Sequence, residues 1–431
     1  MPIWDVRRLH GTSGDVLLYG VSALVAAGLA AVTIYHGHRV WGVISAPVYA
    51  VAAAVTLAGR RDLGHRRRAV IAGFVFALSA LLPLAVLVVQ RVHGVPWSAQ
   101  PEVEVVERMA RLLVDTGTPY AAADTLDHYR DYTPYLPAMA VFGLPRAALG
   151  DGALTDARLA FIVVSALLVL LAARLPRTPR LPHTPQPPHT AQPPHSPQLL
   201  RTPRLPVRAV HLVAVLPATT LAVATGGDDL PVLALLVLCF ACCQVGRVGA
   251  AGVAGGLALA MKLTAAPVLL VLAVALYRAH GVHDVHGGRG ARRAAVFAAA
   301  ALGVAAALVL PVALVSPAAL VEHVIRFPAG LTGVESPAAS PLPGHLLAQA
   351  GSAGHRAALA LLAAAAIAVL AWVLWRPPRN PAEAADRAAL GLVIAMLLMP
   401  ATRFGYLVYP LVLAGTAMAL RSPAAPADAP E

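Results

Sequence analysis

The sequence predicts an all-α, polytopic membrane protein, a bundle of about twelve apolar helices joined by loops. Three observations predict it. Of 431 residues, 58% are hydrophobic and 13% charged, with a mean hydropathy of +0.70, which is too apolar for a soluble domain. Apolar runs of roughly membrane-spanning length recur from end to end. Arginines gather in the short loops between them, as the retention of basic loops on the cytoplasmic side requires.

The runs read along the chain at about 16–35, 40–58, 69–92, 155–173, 207–224, 229–245, 248–262, 264–279, 294–315, 356–375, 388–400 and 405–420. Several fall short of the roughly 17 to 25 residues of a full span. The first is preceded by Asp5 and Asp15 and no small-residue cleavage site, so it reads as a retained anchor rather than a signal peptide. The organisation that follows is an N-terminal three-span region (1–92), an acid-rich loop (93–154) and one span (155–173). A low-complexity insert (174–206), a multi-span region (207–420) and a disordered tail (421–431) complete the chain.

Loop charge sets an expected orientation. Arg60, Arg61, Arg66, Arg67 and Arg68 hold one loop inside; Arg278, Arg289, Arg292 and Arg293 hold a second, and Arg376, Arg379 and Arg387 a third. Counted from Arg7 and Arg8, both termini are cytoplasmic, and the segment from Gln100 to Pro137 is outside with Asp228, Asp229, the 316–355 loop and Arg403. That parity requires the short apolar stretch Tyr135–Leu149, broken by Pro137 and Pro145, to be re-entrant or interfacial. The formal charge of +12 then reports topology and contact with anionic membrane lipids. No nucleic-acid partner is implied.

The Gln100 to Pro137 segment is the one long polar stretch. It carries Glu102, Glu104, Glu107, Asp115, Asp124, Asp127 and Asp131, interleaved with Tyr120, Tyr129, Tyr132 and Tyr135. Its first part is amphipathic: Val103, Val106, Ala110 and Leu113 share one face, while Glu104, Glu107, Arg108 and Arg111 take the other arc. This predicts a helix lying on the outer membrane face. Glu102 and Glu104 in its first turn either complement the helix dipole or act as a general base on an acceptor hydroxyl.

Four features outside that loop, and the tyrosines within it, carry or exclude chemistry. In TGGDDLP (225–231), Asp228 or Asp229 reads as a helix cap with Pro231 in the first turn. Two adjacent acids exceed what capping needs, and they suit sugar hydroxyls or a divalent cation bridging to phosphate. Lys262, the only lysine of the chain, falls at the outer end of a span, and Arg403 in PATRFGY is a second outward cation, joined by Arg326 and His323. Together they suit the phosphate of a lipid-linked donor; singly, each reads as a snorkelling side chain. Tyr120, Tyr132 and Tyr135 suit sugar faces or an interfacial aromatic belt. Cys239, Cys242 and Cys243 lie inside one apolar run with no second pair and no nearby histidine, so they read as apolar filler. The insert repeats RTPRLP around PHTPQP, PHTAQP and PHSPQ, which favours polyproline II and cannot bury a core.

The succession PEVEVVERMARLLVDTGTPY, YTPYLPAMAVFGLPRAALG with LTDARL, TGGDDLPVLAL, GLALAMKLTAAPVLL, FPAGLTGVESPAASPLPGHLLA and ATRFGYLVYPLVL resembles glycosyltransferase family 87 of the actinobacterial type. These are integral-membrane GT-C enzymes related to polyprenyl-phosphate-mannose-dependent mannosyltransferases. The resemblance runs from about Gln100 to Leu420 outside the insert. It implies a polyprenyl-phosphate sugar donor, a lipid, glycan or protein acceptor, and inverting hexosyl transfer at the outer face of the cytoplasmic membrane. It also implies a catalytic base at the start of the first large outer loop, a role that falls on Glu102 or Glu104. Here the chain departs from the commoner pattern, which has Asp, and it adds two spans before the usual first one. The resemblance favours function at Asp228, Lys262 and Arg403, which lie in matching segments, and assigns no roles; Asp229, Arg326, Tyr120, Tyr132 and Tyr135 complete the candidate substrate-binding set. A divalent cation at the adjacent aspartates is the one cofactor the residues suggest, and no metal ligand is assigned. A secondary transporter or lipid flippase is the alternative; it predicts carboxylates at span centres and inverted repeats, which the sequence does not display. A scaffold recruiting partners through the insert is a third class.

Overall fold

The computed structural model describes residues 12–59, 63–175, 207–278 and 288–421. Arg7, Arg8, Arg60 and Arg61, the insert from residue 176 to 206 and the tail from residue 422 lie outside the described residues. The described residues are helical throughout except for loops and one isolated parallel bridge, Ala339 to Thr402.

Each of the twelve apolar runs forms a helix. With short helical turns left unlabelled, they are α1 (Thr12–Val32), α2 (His36–Ala58), α3 (His65–Val92), α5 (Ala157–Arg174), α6 (Val207–Thr225) and α7 (Asp229–Gln244). The series continues with α8 (Val248–Leu259), α9 (Ala265–Arg278), α10 (Gly288–Val315), α11 (Ser352–Trp375), α12 (Pro381–Leu398) and α13 (Phe404–Arg421); the amphipathic helix is α4 (Pro101–Thr116). Eight of them, α1, α2, α3, α5, α6, α10, α11 and α13, are long and apolar enough to cross a membrane, and α7, α8 and α9 are shorter apolar helices. This is a multi-pass membrane protein. Its segments are helical because a backbone in hydrocarbon must satisfy its own hydrogen bonds.

Local chemistry sets the helix ends. Pro101 and Pro381 occupy first turns, where the missing N–H costs nothing. Asn380 caps α12 by accepting from Glu383 N at 2.9 Å, and Glu383 returns a bond to Arg379 N at 3.0 Å. Gly117 ends α4 at φ +75°, a left-handed position that glycine adopts without strain. Where α8 meets α10, a side chain on Gly252 or Gly256 would strike the backbone carbonyls of Phe297 or Ala301, so this small-xxx-small pair lets the helices touch.

Among the described residues, two large apolar cores and two small clusters make the interior. One, around Tyr19, Trp41, Tyr49 and Leu87, joins α1, α2, α3 and α6. The larger joins α4, α5, α7, α8, α9, α12 and α13. The stretch Pro137–Leu149 is a 3₁₀ turn run into a short helix, and it packs against α4. The expectation that α4 lies with its apolar face on the membrane is therefore corrected. Val103, Val106, Met109 and Ala110 are buried against protein, and Glu107, expected on the polar arc, is buried as well.

Candidate active site

The N-terminus of α4 is built by a buried arginine. Arg158 is fully buried in the first turn of α5 and donates to Ser98 O at 2.8 Å and Ala224 O at 3.2 Å, while Asp156 holds its other nitrogens at 2.8 Å. Gln100 N then bonds Thr225 O at 2.9 Å. The loop before α4 and the turn after α6 are thus tied together. Burial opposes ionisation of Asp156, but the bonds and charges of Arg158 and Arg91 outweigh it and lower its pKa to about 2.

That turn requires its glycines. A side chain at Gly226 would collide with the Gln100 amide, and Gly227 sits at φ +95°. Asp228 follows at the cap position of α7, yet its side chain makes no capping bond. The expectation of an Asp cap is corrected: both acids turn to Lys262 instead. The ammonium lies 2.5 Å from Asp228 Oδ2, off the hydrogen-bonding direction, and donates to Asp229 Oδ1 at 2.5 Å. Tyr409 donates to the same Asp229 oxygen at 2.7 Å, and Thr264 donates to Tyr409 at 3.2 Å.

Lys262 follows the end of α8, in a turn held by the segment before Pro137–Leu149 and its first residues, whose Leu136 N and Ala138 N bond Met261 O and Ala260 O at 2.9 and 3.1 Å. These bonds bring the Tyr135 ring to 4.7 Å from the ammonium. Burial works against the charge on Lys262, but the two aspartates prevail and raise its pKa well above the ordinary value. Burial raises the pKa of Asp228 in turn, with Lys262 pulling it back. Tyr135 is pushed up by burial, then by Asp228.

Arg403 reaches the same place from the other end of the chain. Ser340 N bonds Thr402 O at 2.9 Å, Thr402 N bonds Ala338 O at 2.8 Å, and Phe404 N bonds Ser340 Oγ at 3.0 Å, which fixes the turn entering α13. Arg403 forms an ion pair with Glu102. The second Glu102 oxygen is buried and makes no hydrogen bond among the described residues. Tyr406 lies within electrostatic reach of Arg403, Lys262, Asp228 and Asp229. Gln100, two residues before Glu102, is bonded to Thr225, three residues before Asp228, and this contact links the two ionic groups. Three carboxylates face two cations, a formal balance of −1.

The structure thus brings together Glu102, Asp228, Asp229, Lys262, Arg403 and Tyr135. It does not bring the other candidates to them. Glu104 is exposed on the far side of α4, near Arg108. Arg326 is exposed and pairs with Glu322 at 2.9 Å. Tyr120 and Tyr132 pack around His323: Tyr120 stacks on it and donates to Tyr135 O at 2.9 Å, while Tyr132 stacks on Phe327. His323 accepts from Thr133 N at 2.9 Å and meets Ala121 O at 3.0 Å, and burial lowers its pKa. It holds the loop in shape. Cys239, Cys242 and Cys243 are buried in α7, away from the cluster.

Sequence reasoning passed over Gln100, Tyr406 and Tyr409, and also His38, which meets the Gln100 amide at 3.4 Å from the start of α2. Two tyrosines shortly after Arg403, in RFGYLVY, were the available signal for the pair in α13. Chemically the cluster offers a carboxylate able to take a proton, paired with a guanidinium whose fork also fits a phosphate. Comparison with curated proteins and with solved structures finds no match. The family described as glycosyltransferase family 87 matches residues 132–400, a span that holds Tyr135, Asp228, Asp229 and Lys262 and excludes Glu102 and Arg403. That match covers well over half of the sequence, and the chain belongs to glycosyltransferase family 87.

Proposed function

We propose that the chain transfers a hexose, mannose as the first choice, from polyprenyl phosphate to an acceptor hydroxyl at the outer face of the cytoplasmic membrane. The observation that carries this reading is the convergence of Glu102, Asp228, Asp229, Lys262 and Arg403, five charged residues from four distant stretches of the sequence, at neighbouring helix ends. Glu102 takes the proton of the acceptor hydroxyl as its oxygen attacks the anomeric carbon. The bond to the phosphate oxygen breaks, and polyprenyl phosphate leaves with inversion. Arg403 and Lys262 stabilise the charge that develops on the leaving phosphate.

The ion pairs give this mechanism an order. With Lys262 held by two aspartates and Arg403 by Glu102, no cation of the cluster is spare. A donor phosphate must draw Arg403 away, and that exchange frees Glu102 at the moment the donor is in place. The −1 balance and the unbonded Glu102 oxygen support such a hand-over. Purified protein in lipid nanodiscs, given polyprenyl-phosphate mannose and a set of lipid, glycan and peptide acceptors, should form a glycosylated product. Deletion of residues 176–206 should leave transfer intact. Absence of product with every acceptor and every polyprenyl-phosphate hexose would overturn the reading.

A further inference from the structure

We infer that Trp97, with Arg130 over its ring, is a carbohydrate-binding ledge for the acceptor, a reading that rests on the glycosyl-transfer proposal. The loop VPWS turns through Pro96 and Trp97, and Trp97 has φ +61°, the one positive value at a non-glycine among the described residues. Pro followed by a positive φ is the pattern of a type II turn, whose second corner normally holds glycine or asparagine. Placing tryptophan there costs on the order of 1–3 kcal/mol, and such strain persists only where the surroundings impose it.

The surroundings do impose it. Ser98 Oγ donates to Val95 O at 2.7 Å, Ser98 O accepts from buried Arg158, and Gln100 N is bonded to Thr225 O. The indole itself is not packed away: Trp97 is 56% exposed. The Arg130 guanidinium lies 4.4 Å from the ring centroid, with Nε donating to Tyr129 OH at 3.4 Å. Among the described residues no carboxylate pairs with Arg130, unlike Arg403 and Lys262. A large flat ring is therefore held at a strained corner five residues before Glu102, open to solvent, with an unneutralised guanidinium at its side.

That pairing fits a sugar. The axial hydrogens of a pyranose make an apolar face that lies flat on an indole, while its ring-edge hydroxyls accept from guanidinium N–H groups. A hydrocarbon chain would have no use for the cation. An acceptor glycan lying on Trp97 would present its next hydroxyl toward the start of α4, where Glu102 stands.

The test uses the full-length protein in nanodiscs and a panel of hexose di-, tri- and tetrasaccharides, with binding read by saturation-transfer NMR and titration. Trp97→Gly suits the positive φ, so its thermal midpoint should equal or exceed the wild type's, which separates binding from folding. We expect Trp97→Gly to weaken binding of the best oligosaccharide by about tenfold or more, with Trp97→Phe within about threefold and Arg130→Ala in between. In transfer assays the acceptor KM should rise while the donor KM stays. Equal binding by wild type and Trp97→Gly, or no binding by any member of the panel, would overturn the ledge, as would a loss of nanodisc partitioning alone, which marks an interfacial anchor. Trp97-dependent binding without any transfer would keep the ledge and sink the enzyme reading; transfer indifferent to Trp97 would do the reverse.

Discussion

Glu102 and Glu107 stand five residues apart on α4, both away from bulk water, yet their surroundings are opposite. Glu107 accepts from Arg91 at 2.9 and 2.7 Å and from Ala157 N at 3.2 Å, and it lies 3.3 Å from Arg146. Arg91 also bonds Asp156, which Arg158 grips in turn. Every charge there has its partners, so the group acts as a clamp joining α3, α4 and α5. Glu102 has one partner, Arg403, and a second oxygen that is buried and unbonded. A saturated buried carboxylate holds structure. An unsaturated one, beside an excess of negative charge, marks a candidate binding site.

Glu102→Gln cuts deepest at this contrast. It keeps the shape and removes the base, so transfer should fall by about 10²- to 10⁴-fold while the thermal midpoint in detergent barely moves, which single-turnover assays and melting curves on one preparation would check. A large drop in melting temperature with transfer retained would reverse the assignment. Glu107→Ala should do the opposite. Removing one member of a buried ionic network costs about 3–5 kcal/mol, read as poor yield and a lowered midpoint, with any folded fraction still active.

The next test is pH. Because the pKa of Asp156 is lowered to about 2 in the folded protein, its contribution is complete above the ordinary carboxylate pKa. It is lost as pH falls from about 4 toward 2, on the order of 2 kcal/mol. Melting curves over that window should show an acid limb, and Asp156→Asn should flatten it at the expense of stability at neutral pH. The smallest effect belongs to Glu104→Gln. This carboxylate is exposed, so stability should change by less than about 0.5 kcal/mol and transfer by less than about threefold; a loss matching that of Glu102→Gln would move the base to Glu104.

Much of this was legible in the sequence. Asp228, Lys262 and Arg403 stood out because charge is costly beside apolar spans, and the twelve apolar runs all became helices. Glu107 was misread for a physical reason. A helical wheel shows which residues share a face, and it cannot show that arginines 91 and 146 wait opposite the polar arc. At Asp228 the sequence left cap and site both open, since cap chemistry is local and the competing ammonium lies 34 residues away. Gln100 carried no signal above the background of amides at helix ends, and the RFGYLVY signal for Tyr406 and Tyr409 was weak because tyrosines are common at span ends.

The sequence by itself determined the class of protein and the short roster of costly residues. In hydrocarbon each segment must satisfy its own backbone, so helix formation is decided segment by segment. Only the tertiary structure decided the pairings, Glu102 with Arg403 and Lys262 with Asp228 and Asp229. Those depend on which helix ends are packed together, and contacts between Gln100 and Thr225, Leu136 and Met261, and Ser340 and Thr402 put them there.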